Sequence, residues 1–323
     1  MADNRAMGEF DLIARYFRWP VRRSPLGSGD DCALLAPAAG MQLAVSTDML
    51  VEGRHFLSTV DPRRLGHKAL AVNLSDLAAC GAKPLAFTLS LALPHVDEPW
   101  LAGFSHGLRA LADEHGCELV GGDTTRGTLA ISITVFGEVP AGAALLRCGA
   151  CAGDDLYVSG TLGDARVALE VFRGTLSLPA DAFESARARM ETPAPRVELG
   201  MALRGIATAA VDISDGLAGD LRHVLAASGV GATIEAASAQ TLLGCAQHVD
   251  ASRHVEFVIA GGDDYELAFT ASPARRADVE HAAAVSTTRV TRIGRIDAGA
   301  RLRVVDARGD AIEAAFPSFD HFA

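Results

Sequence analysis

Between residues 85 and 93 the chain alternates strictly. Leu85, Phe87, Leu89, Leu91 and Leu93 are large and apolar, and Ala86, Thr88, Ser90 and Ala92 between them are small or polar. A period of two sends successive side chains to opposite faces, so this stretch predicts a strand with two distinct faces. Leu129, Ile131, Ile133 and Val135 predict another. Between the two the period lengthens. Leu101, Phe104, Leu108 and Leu111 fall on one stripe of a helix that Asp97-Glu98-Pro99 opens and Gly116 stops. Asp61-Pro62 reads as N-cap and first turn of an earlier helix, which runs to about Cys80 and is stopped by Gly81 and Pro84. Short β-rich runs at 43–47 and 118–120 end at Asp48 and at Gly121-Gly122-Asp123.

The loop-like segment Gly149-Ala150-Cys151-Ala152-Gly153-Asp154-Asp155 marks a change. We place a domain boundary there, giving an N-terminal α/β domain over 1–148 and a C-terminal α/β domain over 149–323. After it the alternation resumes. Strands are expected at 156–159, 209–213, 265–270, 289–296 and 301–306. Helices are expected from about Asp164, around 181–205, and at 217–227 and 273–284. Ser-Asp (75–76 and 214–215) and Gly-Gly-Asp (121–123 and 261–263) occur in both halves, too little to make an internal repeat.

The 323 residues are 49% hydrophobic, enough for one large or two medium cores. The net charge of −11 disfavours nucleic acid and anionic lipid as partners. A polyphosphate would be repelled as well, unless cations reverse the local sign. Lys68 and Lys83 are the only lysines, which leaves no P-loop lysine in a suitable setting. Cys148 and Cys151 form a lone C-x-x-C with no second Cys or His pair to complete a zinc site. The charged N-terminus has no apolar signal core, and no run reaches the ~20 apolar residues of a membrane span. A cytoplasmic protein with free thiols is expected.

Against this background acidic residues recur beside glycine or hydroxyl groups. They do so in Gly29-Asp30-Asp31, Ser46-Thr47-Asp48, Asn73-Leu74-Ser75-Asp76, Gly121-Gly122-Asp123-Thr124, Asp212-Ile213-Ser214-Asp215-Gly216 and Gly261-Gly262-Asp263-Asp264. Carboxylate, hydroxyl and carbonyl oxygens are hard ligands that suit Mg²⁺, which is commonly held by a few carboxylates together with substrate phosphates. Several of these motifs follow a predicted strand, where ligands of α/β sheets gather. Asp76 lies near the C-terminal end of an apolar helix, where a carboxylate opposes the macrodipole; it is either a cation ligand or a plain solvent-facing acid. Ser214 or Asp215 reads equally as an N-cap. Arg126 and Arg147 are candidate phosphate clamps or surface ion-pair partners. No Ser-His-Asp arrangement, H-E-x-x-H, Walker A or protein-kinase motif is present. The pattern points to a metal-rich phosphoryl-transfer site outside the common kinase folds.

Read in order, these motifs, with His55-Phe56, Lys68-Ala69-Leu70-Ala71-Val72-Asn73-Leu74-Ser75-Asp76 and Gly261-Gly262-Asp263-Asp264-Tyr265-Glu266-Leu267, resemble the thiamine-monophosphate kinases. That family belongs to the aminoimidazole ribonucleotide synthetase-like superfamily. The likeness covers essentially the whole chain, from Gly8-Glu9-Phe10 to Phe319-Asp320-His321-Phe322. It implies a two-domain PurM-like α/β fold whose N-terminal domain forms a β-barrel across a homodimer. It implies transfer of a phosphoryl group from ATP to thiamine monophosphate. By the family pattern, Asp31, Ser46, Thr47, Asp48, Asp76, Asp123, Asp212 and Asp215 hold several Mg²⁺ ions, with Asp31, Asp76 and Asp212 central to catalysis. Gly122, Asp123, Arg147 and Ser214 meet ATP, and His55, Asp263 and Phe319 meet the acceptor. Asp263 stands where the family usually has Glu, one methylene longer.

Four rivals remain at this level, the nearest being another enzyme of the same superfamily such as aminoimidazole ribonucleotide synthetase. A selenophosphate synthetase carries a reactive Cys or selenocysteine followed by Lys near its N-terminus, and no Cys precedes Cys32. A hydrogenase-maturation relative ends in a reactive Cys, whereas this chain ends Asp320-His321-Phe322-Ala323. A non-catalytic nucleotide- or Ca²⁺-binding dimer would have little use for the full acidic set.

Overall fold

A computed structural model of the protein describes residues 8–28, 31–312 and 316. The chain divides into two compact units: Met1–Leu77 with Lys83–Ala141, and Ala78–Ala82 with Gly142–Ala323.

The first unit begins with a short helix α1 (Glu9–Leu12) that runs into a π-helical turn, Ile13–Phe17. There follow β1 (Met41–Val51), α2 (Pro62–Ala79), β2 (Lys83–Leu93), α3 (Glu98–His115), β3 (Glu118–Arg126) and β4 (Ala130–Pro140). The last two residues of α2, Ala78 and Ala79, group with the second unit. The sheet order is β1-β4-β2-β3; β2 and β3 are parallel and the other pairs antiparallel. α3 makes the crossover that a parallel pair requires. Phe87, Leu89, Leu91, Ile131, Ile133 and Val135 point to the buried face, and the predicted α3 stripe of Leu101, Phe104, Leu108 and Leu111 is buried too. Asp97 caps α3 by accepting from Trp100 N at 3.2 Å, and Gly116 ends it in the left-handed region at φ 57°. α2 and α3 touch backbone to backbone. A Cβ at Gly66 would lie 2.0 Å from Phe104 O, and one at Gly107 would lie 1.8 Å from Arg63 O.

Two strands outrun their sequence patterns. β1 pairs with β4 from Met41↔Pro140 to Val51↔Ala130, so Asp48 lies within the strand and not at its end. β3 continues through Gly121-Gly122-Asp123 to Arg126. Its pairing with β2 survives a bulge between Phe87 and Thr88.

The second unit contains β5 (Asp155–Ser159), α4 (Asp164–Phe172), α5 (Ala180–Glu191), α6 (Val197–Ala202), β6 (Ala209–Ile213) and α7 (Leu217–Ser228). It continues with β7 (Gly231–Glu235), α8 (Ala236–Ala239), α9 (Ala251–Ala260), β8 (Glu266–Ala271), α10 (Arg276–Val285), β9 (Val290–Asp297) and β10 (Leu302–Val305). The six strands run β10-β7-β9-β5-β8-β6, antiparallel except for β10 beside β7. β5, β6 and β8 are buried along their whole length, which is why each reads as a short apolar run and not as an alternation. Leu156, Val158, Val211, Ile213, Leu217, Leu221, Phe257 and Ile293 form the centre of the core. The pattern does not announce β7 or α9: β7 is a five-residue strand that starts on Gly231, and α9 is a ten-residue helix that ends at Gly261. Among the described residues no helix is long and apolar enough to cross a membrane.

Candidate active-site clusters

In the first unit two of the acidic motifs, Ser46-Thr47-Asp48 and Asn73-Leu74-Ser75-Asp76, meet between β1 and α2. Alternation along β1 sends Ser46 and Asp48 to the helix side. There the Ser46 hydroxyl donates to Asp76 Oδ2 at 2.5 Å. Asp48 N donates to Asn73 Oδ1 at 3.1 Å, and Asn73 Nδ2 donates back to Ala69 O at 3.0 Å. Asn73 and Asp76 are three residues apart on one helix and therefore share a face. The sequence singles out Asp76 and not Asn73 as a candidate, although their spacing alone puts both on that face.

Thr47 points the other way. Its hydroxyl hydrogen-bonds Thr134 Oγ1 at 2.8 Å, and register continues the row to Thr88 on β2. Asp123 pairs with Ser90 and lies on this same second face, exposed. The motif Ser46-Thr47-Asp48 is thus divided between two faces of one sheet. Gly122 has a packing reason of its own: a Cβ there would stand 1.8 Å from Leu89 O.

His55 follows β1 in a turn in which its Nδ1 accepts from Val51 N at 3.0 Å, so the neutral ring carries its proton on Nε2. Lys68, almost wholly buried, donates from Nζ to His55 O at 3.3 Å. Asp31 is exposed in a bend. Gly29, Asp30 and Phe319 lie outside the described residues.

In the second unit the two remaining motifs are stitched together. β6 carries Asp212, which is buried, and leads into the turn Ser214-Asp215-Gly216 before α7. The segment 261–265 runs beside this turn. Asp263 N donates to Ser214 O at 2.7 Å and Tyr265 N to Ile213 O at 2.8 Å. Asp263 and Tyr265 both have positive φ, 63° and 52°, which a side-chain-bearing residue adopts only when its surroundings impose it. Gly262, at φ 73°, is required for a second reason, since a Cβ would come 2.9 Å from Ser214 O. Arg147 is exposed, and its backbone O accepts from Ser228 Oγ at 3.3 Å.

Three buried acids that sequence reasoning did not single out support these loops. Asp220, in the first turn of α7, accepts through Oδ2 from Ser214 N and Asp215 N, each at 3.0 Å. Burial raises its carboxyl to about 7; the two amides and Arg147 oppose that rise, and the Asp215 charge adds to it. Asp264 accepts from Gly163 N at 2.9 Å, while its Oδ2 has no hydrogen-bond partner. Burial pushes it well above the ordinary carboxylate range. Glu266 is fully buried between Arg189 (2.6 Å) and Arg196 (2.5 Å), and the Ser159 hydroxyl donates to its Oε2 at 2.5 Å. Gly160, at φ 56°, makes room: a Cβ there would lie 2.0 Å from Glu266 Oε1. Among the described residues no three His, Cys, Asp or Glu side chains stand close enough to hold a metal ion by themselves.

The family model for the AIR synthase related protein, N-terminal domain, matches residues 29–139, and that for the C-terminal domain matches 152–307. The fold is therefore the two-domain PurM-like α/β architecture. Thiamine-monophosphate kinase of Salmonella typhimurium (strain LT2) is 44% identical over 324 residues, covering 98% of this chain and 99% of the relative. The Escherichia coli K12 enzyme gives the same figures. Among solved structures, thiamine-monophosphate kinase from Stenotrophomonas maltophilia K279a superposes with a TM-score of 0.83 at 45% identity, covering 90% of this chain and 92% of that one. AaThiL complexed with AMPPCP and TMP superposes at 0.77 with 30% identity, covering 89% of each. Hydrogenase maturation protein HypE, at 20% identity and a TM-score of 0.77, shares the fold. The chain belongs to the AIR synthase related proteins and, within them, to the thiamine-monophosphate kinase family.

Proposed function

We propose that the protein transfers the γ-phosphoryl group of ATP to thiamine monophosphate, giving ADP and thiamine diphosphate. The near-full-length similarity to thiamine-monophosphate kinases carries this reading. The oxygen-rich clusters of both units are the chemistry such a reaction needs.

The residues suit Mg²⁺. Every candidate donor is an oxygen, and at the β1–α2 cluster a hydroxyl and a carboxylate are already held together. Asp31, Ser46, Asp48, Asp76, Asp212 and Asp215 are the proposed ligands, with Thr47 and Asp123 on the second sheet face. That division accords with more than one ion. Bound Mg²⁺ would neutralise and orient phosphate oxygens. Gly122, Asp123, Arg147 and Ser214 are proposed to meet ATP, and His55 and Asp263 the acceptor.

A phosphate monoester has a second pKa of ~6, so the acceptor is already anionic near neutral pH. No general base is required; alignment and charge neutralisation are the main demands. Attack is direct and in line, without a phosphoenzyme. ATP made chiral at the γ-phosphorus should therefore yield inverted product, and retention would refute a single direct transfer.

A homodimer is part of the same reading. Leu43, Val45 and Met49 on β1, an edge strand, are 47%, 58% and 58% exposed. Apolar side chains in a row on one exposed sheet face, beside an unpaired strand edge, are suited to cover by a second copy. Light scattering should return twice the chain mass of 33.6 kDa, and a monomer at micromolar concentration would exclude it.

A further inference from the structure

The bonding around the Ser214 peptide points to a residue that touches no reactant in this reading but decides where two reactant-binding loops stand. We propose that Asp220 is a positioning residue that fixes the Ser214-Asp215 turn and, through it, the Asp263 loop. The inference rests on the reading that Ser214 and Asp215 meet the metal-bound nucleotide and that Asp263 meets the acceptor.

Amides just before or at a helix N-terminus ordinarily face outward and collect anions. In this turn two of them do not. Ser214 N and Asp215 N both turn inward onto one oxygen of Asp220, whose side chain is 5% exposed. On its other side the same peptide unit is taken up again: Ser214 O accepts from Asp263 N at 2.7 Å. A single path of hydrogen bonds thus runs from the buried acid through the nucleotide-side turn to the acceptor-side loop. Neither loop has slack. A Cβ on Gly216 (φ 101°) would lie 3.1 Å from the Ala260 backbone, and one on Gly262 would meet Ser214 O. The positive φ of Asp263 is imposed by these contacts, so loss of the inward anchor releases the turn and the loop together.

The role is acceptance of two N–H bonds, not provision of charge. Asp220→Asn keeps a planar oxygen that can take both amides, whereas Asp220→Ala leaves two donors buried without a partner. Mg²⁺-AMPPNP binding is measured calorimetrically on the full chain without acceptor, alongside kcat and both KM values, with thermal melts to confirm folding. The asparagine variant should keep nucleotide Kd and kcat within about threefold of wild type. The alanine variant, still folded at the assay temperature, should weaken nucleotide binding about tenfold or more and raise KM for thiamine monophosphate as well. If alanine does not fold, Asp220→Ser takes its place, because its shorter hydroxyl cannot span both amides. An alanine or serine variant that binds and turns over like wild type overturns the proposal. So does an asparagine variant as impaired as alanine, since charge would then be the operative property. A wild-type protein that binds Mg²⁺-AMPPNP but leaves thiamine monophosphate untouched would refute the functional reading, and the binding comparison would still decide the role of Asp220.

Discussion

Asp76→Asn should abolish most turnover, about a hundredfold or more, while leaving the protein as stable as wild type. The side chain sits in the last turns of α2, where the helix dipole disfavours a carboxylate, so removing its charge is neutral or slightly favourable for the helix. Asparagine keeps the size and can still accept from the Ser46 hydroxyl, now 2.5 Å from Asp76 Oδ2. What it loses is a charged hard ligand. Removal of one pre-arranged electrostatic group from a reacting site commonly costs about 3 kcal/mol in the transition state, or two orders of magnitude in rate. The Mg²⁺ concentration for half-maximal rate should rise with the loss of kcat. A kcat within a factor of about two of wild type would remove Asp76 from the metal set.

Glu266→Ala should destabilise the second unit by about 3–5 kcal/mol, the usual result of removing one partner from a buried ion pair. Glu266 is 0% exposed and offsets two guanidiniums, those of Arg189 and Arg196. Its loss strands both cations and leaves the Ser159 hydroxyl, which also accepts from Leu267 N at 2.8 Å, without its own acceptor. Glu266→Gln, which keeps the shape and the hydrogen-bond oxygen, should lose less. The effect reaches function through the neighbouring chain: Glu266 opens β8 directly after the 261–265 segment that carries Asp263. Denaturant unfolding reads the stability term, and a change below about 1 kcal/mol would show that the buried charges are balanced in some other way.

How much of this could be read beforehand depends on whether the signal is local. β2, β4 and α3 are plain in the sequence because one face of each is buried and the other is not, so period and burial coincide. β3 beyond Val120 is invisible for the opposite reason. Its glycines carry no pattern, and they are there because β2 approaches too closely for a side chain at Gly122. β7 is hidden because only five residues form it and four of them are buried, which leaves no alternation to read.

At the candidate site, aspartates beside glycine and serine announce oxygen-ligand chemistry by composition alone. Their division between two sheet faces follows from strand alternation once β1 is known to continue through Asp48. The supporting residues Asn73, Asp220, Asp264 and Glu266 are polar groups in apolar segments whose partners lie far along the chain or on a backbone turn. Ser159 with Glu266, 107 residues apart, is the clearest case. Only the fold brings such partners together.

The central claim is metal-dependent transfer from ATP to the acceptor phosphate. It is tested most directly by incubating the purified chain with ATP, thiamine monophosphate and Mg²⁺ and following products by phosphorus NMR. The account predicts thiamine diphosphate and ADP in equal amounts, none of either when the metal is chelated, and none of the diphosphate when free thiamine replaces the monophosphate. ATP hydrolysis to inorganic phosphate without thiamine diphosphate, or transfer that persists after chelation, would contradict it.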